Sequence, residues 1–153
     1  MKSPFRTTEG GNAIAAFVKD ELIPLNKQLQ NLVVDVSASR VGVWDSITRG
    51  RLNAFESRYV DLSGRFMKAH RKWSDPDELF SGIEAGDPQK AAAMISDYFN
   101  TKAAVGEHFG EGFRLIAHID RIISDRKSTA YNRTTMFLAV LAIVISVIVA
   151  VLR

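Results

Sequence analysis

Cysteine is missing from the 153-residue sequence, which excludes disulfides, zinc–thiolate sites and cysteine nucleophiles together. Histidine is scarce, and no phosphate-binding glycine loop, dinucleotide fingerprint, nucleophile elbow or zinc spacing occurs. His108 and Glu111 lie three positions apart and so share a helix face, but no second pair of this kind accompanies them. The sequence therefore predicts a protein that is not an enzyme and that holds no metal and no cofactor.

Two further patterns are missing. No run of alternating apolar and polar residues is bounded by turn residues, so strands are not predicted. The first residues, MKSPFRTTEGGN, carry charges and helix breakers where a secretory leader needs a continuous apolar segment. We therefore expect no leader, and we predict that residues 1–11 form a flexible N-terminus.

One long apolar run is present over residues 136–152, MFLAVLAIVISVIVAVL, in which Ser146 is the only polar side chain. As a helix this run is about 25 Å long at roughly 1.5 Å per residue, close to the lower limit for crossing a hydrocarbon core of about 30 Å. We predict a single transmembrane anchor over 136–152, preceded by a juxtamembrane segment over 128–135.

The charges that flank the anchor predict its orientation. Arg126, Lys127 and Arg133 precede it, whereas Arg153 alone follows it. Because cytoplasmic flanks carry the excess of Lys and Arg, the N-terminal domain is predicted to be cytoplasmic, with the C-terminus across the membrane.

The remaining sequence is typical of amphipathic helices. Apolar residues at alternating steps of three and four predict helices over about 12–38, 43–73 and 88–127, with a loop over 74–87. The predicted fold class is all-α. It consists of a cytoplasmic domain over 12–127, which is a three-helix bundle or an elongated helical hairpin with coiled-coil-like stripes, and one C-terminal transmembrane helix.

Local signals mark the ends of these helices. Asn12 is the expected N-cap of the first helix. Pro24 predicts either a kink or the first turn of a new helix. Asp87 and Pro88 form an N-terminal signature for the last helix, which either continues into the anchor as one rod or bends before it.

Small residues suggest two places where helices pack closely. Ala142, Ser146 and Ala150 are each four positions apart in the anchor, a spacing that lets two membrane helices approach each other. Gly106 and Gly110 lie one turn apart within the last helix of the domain, where each glycine costs about 1 kcal/mol relative to alanine. We interpret this pair as a site of close helix–helix approach; a hinge is the other reading.

A basic surface patch is predicted between residues 65 and 73, RFMKAHRKW, and consists of Arg65, Lys68, Arg71 and Lys72. Such a patch suits an anionic lipid surface or a protein partner. It would also suit nucleic acid, but no nucleic-acid motif accompanies it, so nucleic acid is not an expected partner. The alternative is a solvated helix face whose Phe66 and Trp73 belong to the core.

These features favour a membrane-anchored adaptor or scaffold that oligomerises and binds a protein partner at the membrane. One alternative is a small effector, of the toxin or antiviral defence type, that assembles and perturbs the bilayer. Ser146 is the only residue of the anchor that could line an aqueous path, which counts against this alternative. A coiled-coil membrane tether is a further alternative, although its stripe would carry Lys102 and Gly112 where a strong zipper is apolar.

Overall fold

The computed structural model describes residues 8–39, 48–81 and 87–151, and no strand occurs among them. The helices are α1 (Glu9–Ala16), α2 (Ile23–Ala38), α3 (Gly50–Ser74), α4 (Pro76–Leu79) and α5 (Pro88–Val151), and a π-helical segment, Phe17–Leu22, joins α1 to α2. The all-helical prediction is confirmed, with one long apolar helix at the C-terminal end.

The first helical region begins earlier than predicted. Thr8, not Asn12, is the N-cap, and its side chain accepts a hydrogen bond from the peptide N–H of Gly11 at 3.1 Å. Pro24 lies in the first turn of α2, where its missing N–H leaves no donor unpaired. The π-helical segment just before it carries the chain from α1 into α2 without a break.

α3 starts at Gly50, directly after Arg49, whose φ of 55° is left-handed and interrupts any helix arriving from upstream. Residues 43–47 of the predicted helix lie outside the described residues. The predicted end is confirmed, since α3 stops at Ser74. Asp75 then caps the short α4 by accepting from the N–H groups of Asp77 and Glu78, inside the region predicted as a loop.

α5 is a single helix of 64 residues, about 96 Å long at 1.5 Å per residue. Asp87 caps its start by accepting from the N–H of Gln89 at 2.9 Å. The last helix of the domain thus continues into the apolar run as one rod, and the glycines in its middle do not break it.

α5 forms the wall against which the other helices pack. α2 lies parallel to it, because Asn26 is bonded to His108 at one end and Arg126 to Ser39 at the other. α3 lies antiparallel to α5, with Trp73 beside Tyr98 at one end and an ion pair near residue 127 at the other. The end of the domain that faces the apolar run thus contains the C-terminus of α2 and the N-terminus of α3.

Most of the predicted apolar stripes form the shared core. The buried residues from the first two stripes are Ile14, Val18, Leu22, Leu25, Leu29, Leu32, Val36, Leu52, Leu62, Phe66, Ala69 and Trp73. The stripe predicted along the last helix includes Ile95 and Lys102. Both are exposed, and Met94 and Thr101 are buried in their place. The reason is that α1 packs on this part of α5 and turns a different face inward.

Two glycines permit the closest packing of the helices. A Cβ atom on Gly10 would lie 3.0 Å from the Cα atom of Met94, so α1 approaches α5 backbone to backbone. A Cβ atom on Gly112 would overlap the ring of Phe66 and would lie 2.7 Å from the Oδ1 atom of Asn26. The missing side chain at Gly112 therefore leaves space on α5, and the ring of Phe66 from α3 fills that space.

Candidate functional site

The predicted anchor is the most exposed apolar part of the molecule. In the described residues, one helix is long and apolar enough to cross a membrane, and none of its apolar window is buried by protein. Ala142, Ser146 and Ala150 all lie there, exposed on α5. The Ser146 hydroxyl donates to the carbonyl of Ala142 at 2.8 Å, so the helix itself satisfies this polar group.

Two of the residues predicted to determine topology also hold the domain together. Arg126 donates to the carbonyls of Ser37 and Ser39, which are free at the C-terminus of α2, and to the Ser39 hydroxyl. Lys127 forms an ion pair with Glu56 of α3 at 2.6 Å. Arg133 lies on the exposed surface of the same helix. The base of the domain is therefore fastened to α5 close to the apolar run.

The predicted basic patch does not form one free surface. Lys72 is half-buried, pairs with Glu21 at 2.6 Å and lies over the ring of Phe17. Arg65 is exposed and donates to Gln28 at 3.2 Å. Lys68 is exposed on the same side as Arg65 and Lys72, whereas Arg71 is exposed farther around the helix, and Phe66 and Trp73 are core residues. The solvated-face interpretation of this segment fits the structure better than a basic patch.

The position of this segment along α5 also separates it from the anchor. Phe66 lies against Phe113, and Trp73 lies against Tyr98. These levels on α5 are roughly 35 to 57 Å before Met136 at about 1.5 Å per residue. Along α5, the predicted basic residues are thus separated from the predicted anchor by about six turns or more.

Within the part of the chain that the structure describes, no helix packs on Gly106 or Gly110, so the predicted close approach at this pair stays a prediction. A Cβ atom on either residue would have no neighbouring atom within 4 Å. Close approaches within the described residues occur at Gly112, two positions after the predicted pair, and at Gly10. Both Gly106 and Gly110 line an open groove.

This groove runs between α3 and α5 and has a volume of about 410 Å³. Its lining residues are His70, Trp73 and Ser74 from α3, and Tyr98, Lys102, Gly106, Phe109, Gly110 and Phe113 from α5. We call it the aromatic groove. The groove exists because Gly106 and Gly110 contribute no side chains to its floor, while aromatic rings form its walls.

Contacts between rings fix the walls of the aromatic groove. The His70 ring meets the rings of Phe109 and Phe113 edge-on, with centroids 5.0 and 5.2 Å away. Trp73 and Tyr98 are 4.7 Å apart, and burial raises the pKa of the Tyr98 phenol, which keeps it neutral. Lys102 extends over the Tyr98 ring at 5.8 Å. The groove therefore offers an apolar, ring-lined surface with one cation at its edge.

The predicted metal pair lies where α2 packs against α5. Within the described residues, no group of three or more acidic or histidine side chains is placed to hold a metal ion. At the weak metal pair of the sequence, the backbone carbonyl of His108 accepts a hydrogen bond from Asn26, and the Glu111 carboxylate accepts one from Gln30.

Sequence reasoning missed the aromatic groove and three buried polar residues. Asn26 donates to the backbone carbonyl of His108, while its Oδ1 atom has no hydrogen-bond partner among the described residues. Asp97 accepts a hydrogen bond from the Thr8 hydroxyl and so holds the start of α1. Thr101 bonds to the carbonyl of Asp97 in its own helix.

Comparison of the chain with protein-family models, curated proteins and solved structures gives no match.

Proposed function

We propose that this chain is a single-pass membrane protein that serves as a non-enzymatic adaptor or scaffold, with its helical domain packed as a bundle on the cytoplasmic side. The aromatic groove is the surface to which another helix binds. The observation that carries the proposal is the continuity of α5. The same helix supplies the wall of the core, the floor of the groove and an apolar end that none of the described residues covers.

An apolar helix end of this length is unfavourable in water. Its large side chains from Met136 onward are about half exposed or more. Each buried CH₂ group contributes about 0.8 kcal/mol, so transfer of this segment into lipid is strongly favoured. The hydroxyls of Thr135 and Ser146 are bonded to carbonyls of their own helix, so they enter lipid without an unpaired donor.

The domain side of the membrane is proposed from charge. Arg126, Lys127 and Arg133 lie within about three turns of the apolar run. Arg126 and Lys127 have partners in the domain, and together with Arg133 they form the basic flank on which the proposed orientation rests. Protease added to sealed inverted vesicles would then digest the domain, and protease added to right-side-out vesicles would leave it intact.

The anchoring is tested by extracting membranes from cells that express the full chain with alkaline carbonate. We expect the protein to stay in the membrane pellet. A Val144→Arg and Ile148→Arg double variant places two charges at mid-membrane, at an insertion cost of about 2.5 to 3.5 kcal/mol each, and should move to the supernatant. The matched control carries Val144→Leu and Ile148→Leu and should remain in the pellet.

Two results would contradict the proposal. Release of the unaltered chain by carbonate would show that the apolar end is covered by protein and not by lipid. Dye leakage from liposomes that carry the full chain, abolished by Ser146→Leu, would favour a protein that perturbs the bilayer.

A further inference from the structure

α5 carries a second apolar face besides the one that packs in the core. Ahead of residue 136, the described large apolar side chains that are exposed on α5 are Ile95 (51%), Phe99 (62%), Phe113 (37%) and Tyr131 (63%). At 3.6 residues per turn all four fall within about 20° of Gly106 around the helix axis. The buried residues of α5, such as Val105 and Gly112, lie on a different side. Exposed aromatic rings that share one face mark an interaction surface.

Small residues lie between these four large side chains on the same face. Gly106, Gly110, Ala117, Ser124, Ser128 and Thr135 follow one another at steps of four or seven along the helix and are exposed or half-exposed. We call this surface, with the four large residues, the outer stripe. On the neighbouring α3, Met67 is 55% exposed and lies one turn from His70, so the apolar surface extends across the aromatic groove.

The outer stripe continues in phase into the anchor. Because α5 is unbroken, Ala142 lies about ten turns beyond Gly106 and Ser146 about ten turns beyond Gly110, on the same side of the helix. Two independent features thus coincide in angle: exposed aromatic rings in the domain and closely spaced small residues in the membrane segment. A partner that contacts only the domain would not require this coincidence.

We infer that the outer stripe binds the α5 helix of a second copy of this chain, parallel and in register. The inference rests on the proposed membrane anchoring, which holds any second copy upright in the same bilayer with every residue at the same height. Each residue of the stripe then meets its own counterpart, so that the glycines and alanines face small residues along the whole helix.

Charges beside the stripe fit the parallel arrangement. Lys102 is exposed on one flank and lies over aromatic rings, and Glu107 is exposed on the other flank. The structure gives neither residue an ion pair within the described parts of the chain. In parallel helices that pack in register, a residue on one flank meets the residue about five positions later on the opposite flank of the other helix. Lys102 of one copy therefore reaches Glu107 of the other.

The absence of native cysteine makes disulfide mapping a direct test. Single-cysteine chains are made in pairs of adjacent residues, with Ala117→Cys and Ser124→Cys on the stripe and His118→Cys and Asp125→Cys as their off-stripe controls. All four positions are exposed. After mild oxidation in native membranes, we expect a band at twice the monomer mass for the stripe positions and not for the controls. Disulfides require Cα atoms within about 7 Å, which off-stripe pairs exceed.

A blocking variant tests the close packing separately from folding. Gly106→Leu places a side chain into open space in the single chain, so the domain remains folded, but it holds a second α5 away. We expect it to abolish the disulfide formed through Ser124→Cys. Gly64→Leu on α3, which is also open but faces away from the groove, is the matched control and should leave that disulfide unchanged.

A change of helix phase tests the continuity of the stripe. Two alanines inserted after Arg133 rotate the anchor by about 200° relative to the domain, whereas seven rotate it by about 20°. The first insertion should abolish the Ser124→Cys disulfide, and the second should preserve it.

The inference is overturned if the stripe and control cysteines cross-link equally, if neither cross-links, or if both insertions behave alike. A chain that resists carbonate extraction yet shows one of these results refutes the pairing alone. A chain that carbonate releases refutes the anchoring first.

Discussion

Three glycines within two turns of α5 should respond in opposite ways to the same substitution. Gly106 and Gly110 have no neighbouring atom within 4 Å of an added Cβ, whereas a Cβ on Gly112 overlaps the ring of Phe66. Alanine is better than glycine in a helix interior by about 1 kcal/mol. Gly106→Ala and Gly110→Ala should therefore each raise the free energy of unfolding by about 1 kcal/mol.

Gly112→Ala gains the same helix propensity but overpacks the core. Phe66 is fully buried, and the rings of Phe109 and Phe113 lie against it at centroid distances of 5.5 and 5.2 Å, so it cannot retreat freely. Overpacking costs about 1 to 3 kcal/mol, and more where rings collide. We expect the loss to exceed the gain, leaving Gly112→Ala destabilised by about 1 to 2 kcal/mol.

Thermal unfolding of the detergent-solubilised full chain that carries Trp44→Phe, followed by the fluorescence of the buried Trp73, measures both effects. A change of 1 kcal/mol shifts Tm by about 2 to 4 °C in a protein of this size. Tm should rise for Gly106→Ala and Gly110→Ala and fall for Gly112→Ala. If Gly112→Ala were as stabilising as Gly106→Ala, α3 would not pack into α5 at this position, and the aromatic groove beside it would have different walls.

Two further predictions concern polar groups that hold the helices together. Burial raises the pKa of Tyr59 above its usual value of 10.0, and so does the nearby carboxylate of Asp120, which accepts its hydrogen bond. The contribution of Tyr59 to stability is therefore full below pH 10 and is lost as pH rises through the folded-state pKa. Unfolding midpoints measured between pH 8 and 11 should fall more steeply for the unaltered chain than for Tyr59→Phe, and parallel curves would contradict this. Arg126→Gln removes the charged cap from the C-terminus of α2. It should lower the free energy of unfolding, measured with denaturant, by about 1 kcal/mol, a modest loss because Arg126 is partly exposed. Substitution of the exposed Arg114 by Gln is the control, and an equal loss of stability in the two variants would refute the capping role.

The sequence predicted the helices and most of the core because apolar periodicity is a local property. Leu29, Leu32 and Phe66 are fully buried where their stripes placed them, and the proline and aspartate signals located the end of α3 and the start of α5. The start of α1 was predicted too late because Gly10 and Gly11 resemble a flexible segment. Gly10 is needed for close packing against Met94, which is distant in sequence and contacts Gly10 only in the folded chain.

The candidate site could be predicted only in part, since the orientation of a glycine depends on the neighbouring helix. Gly106 and Gly110 have the spacing of a packing motif, yet α1, α2 and α3 cover other faces of α5. One signal did point to Gly112: it falls within the apolar stripe, where a missing side chain implies that a neighbour fills the space. The aromatic groove had no comparable signal, because His70 and Phe113 come from helices whose register only the folded core sets.

Because α5 is unbroken, partners in the same membrane and partners in an opposing membrane would meet it in different geometries. Gly106 lies about 45 Å before Met136 along an unbroken helix. Two chains anchored in opposing membranes would meet antiparallel, so matching the glycines would hold the bilayers about 90 Å apart and leave Ala142 and Ser146 without a counterpart. Two chains in one membrane bring both the glycine and the anchor positions into contact at once. The in-phase continuation of the outer stripe thus favours a scaffold that assembles within one bilayer over a tether that joins two.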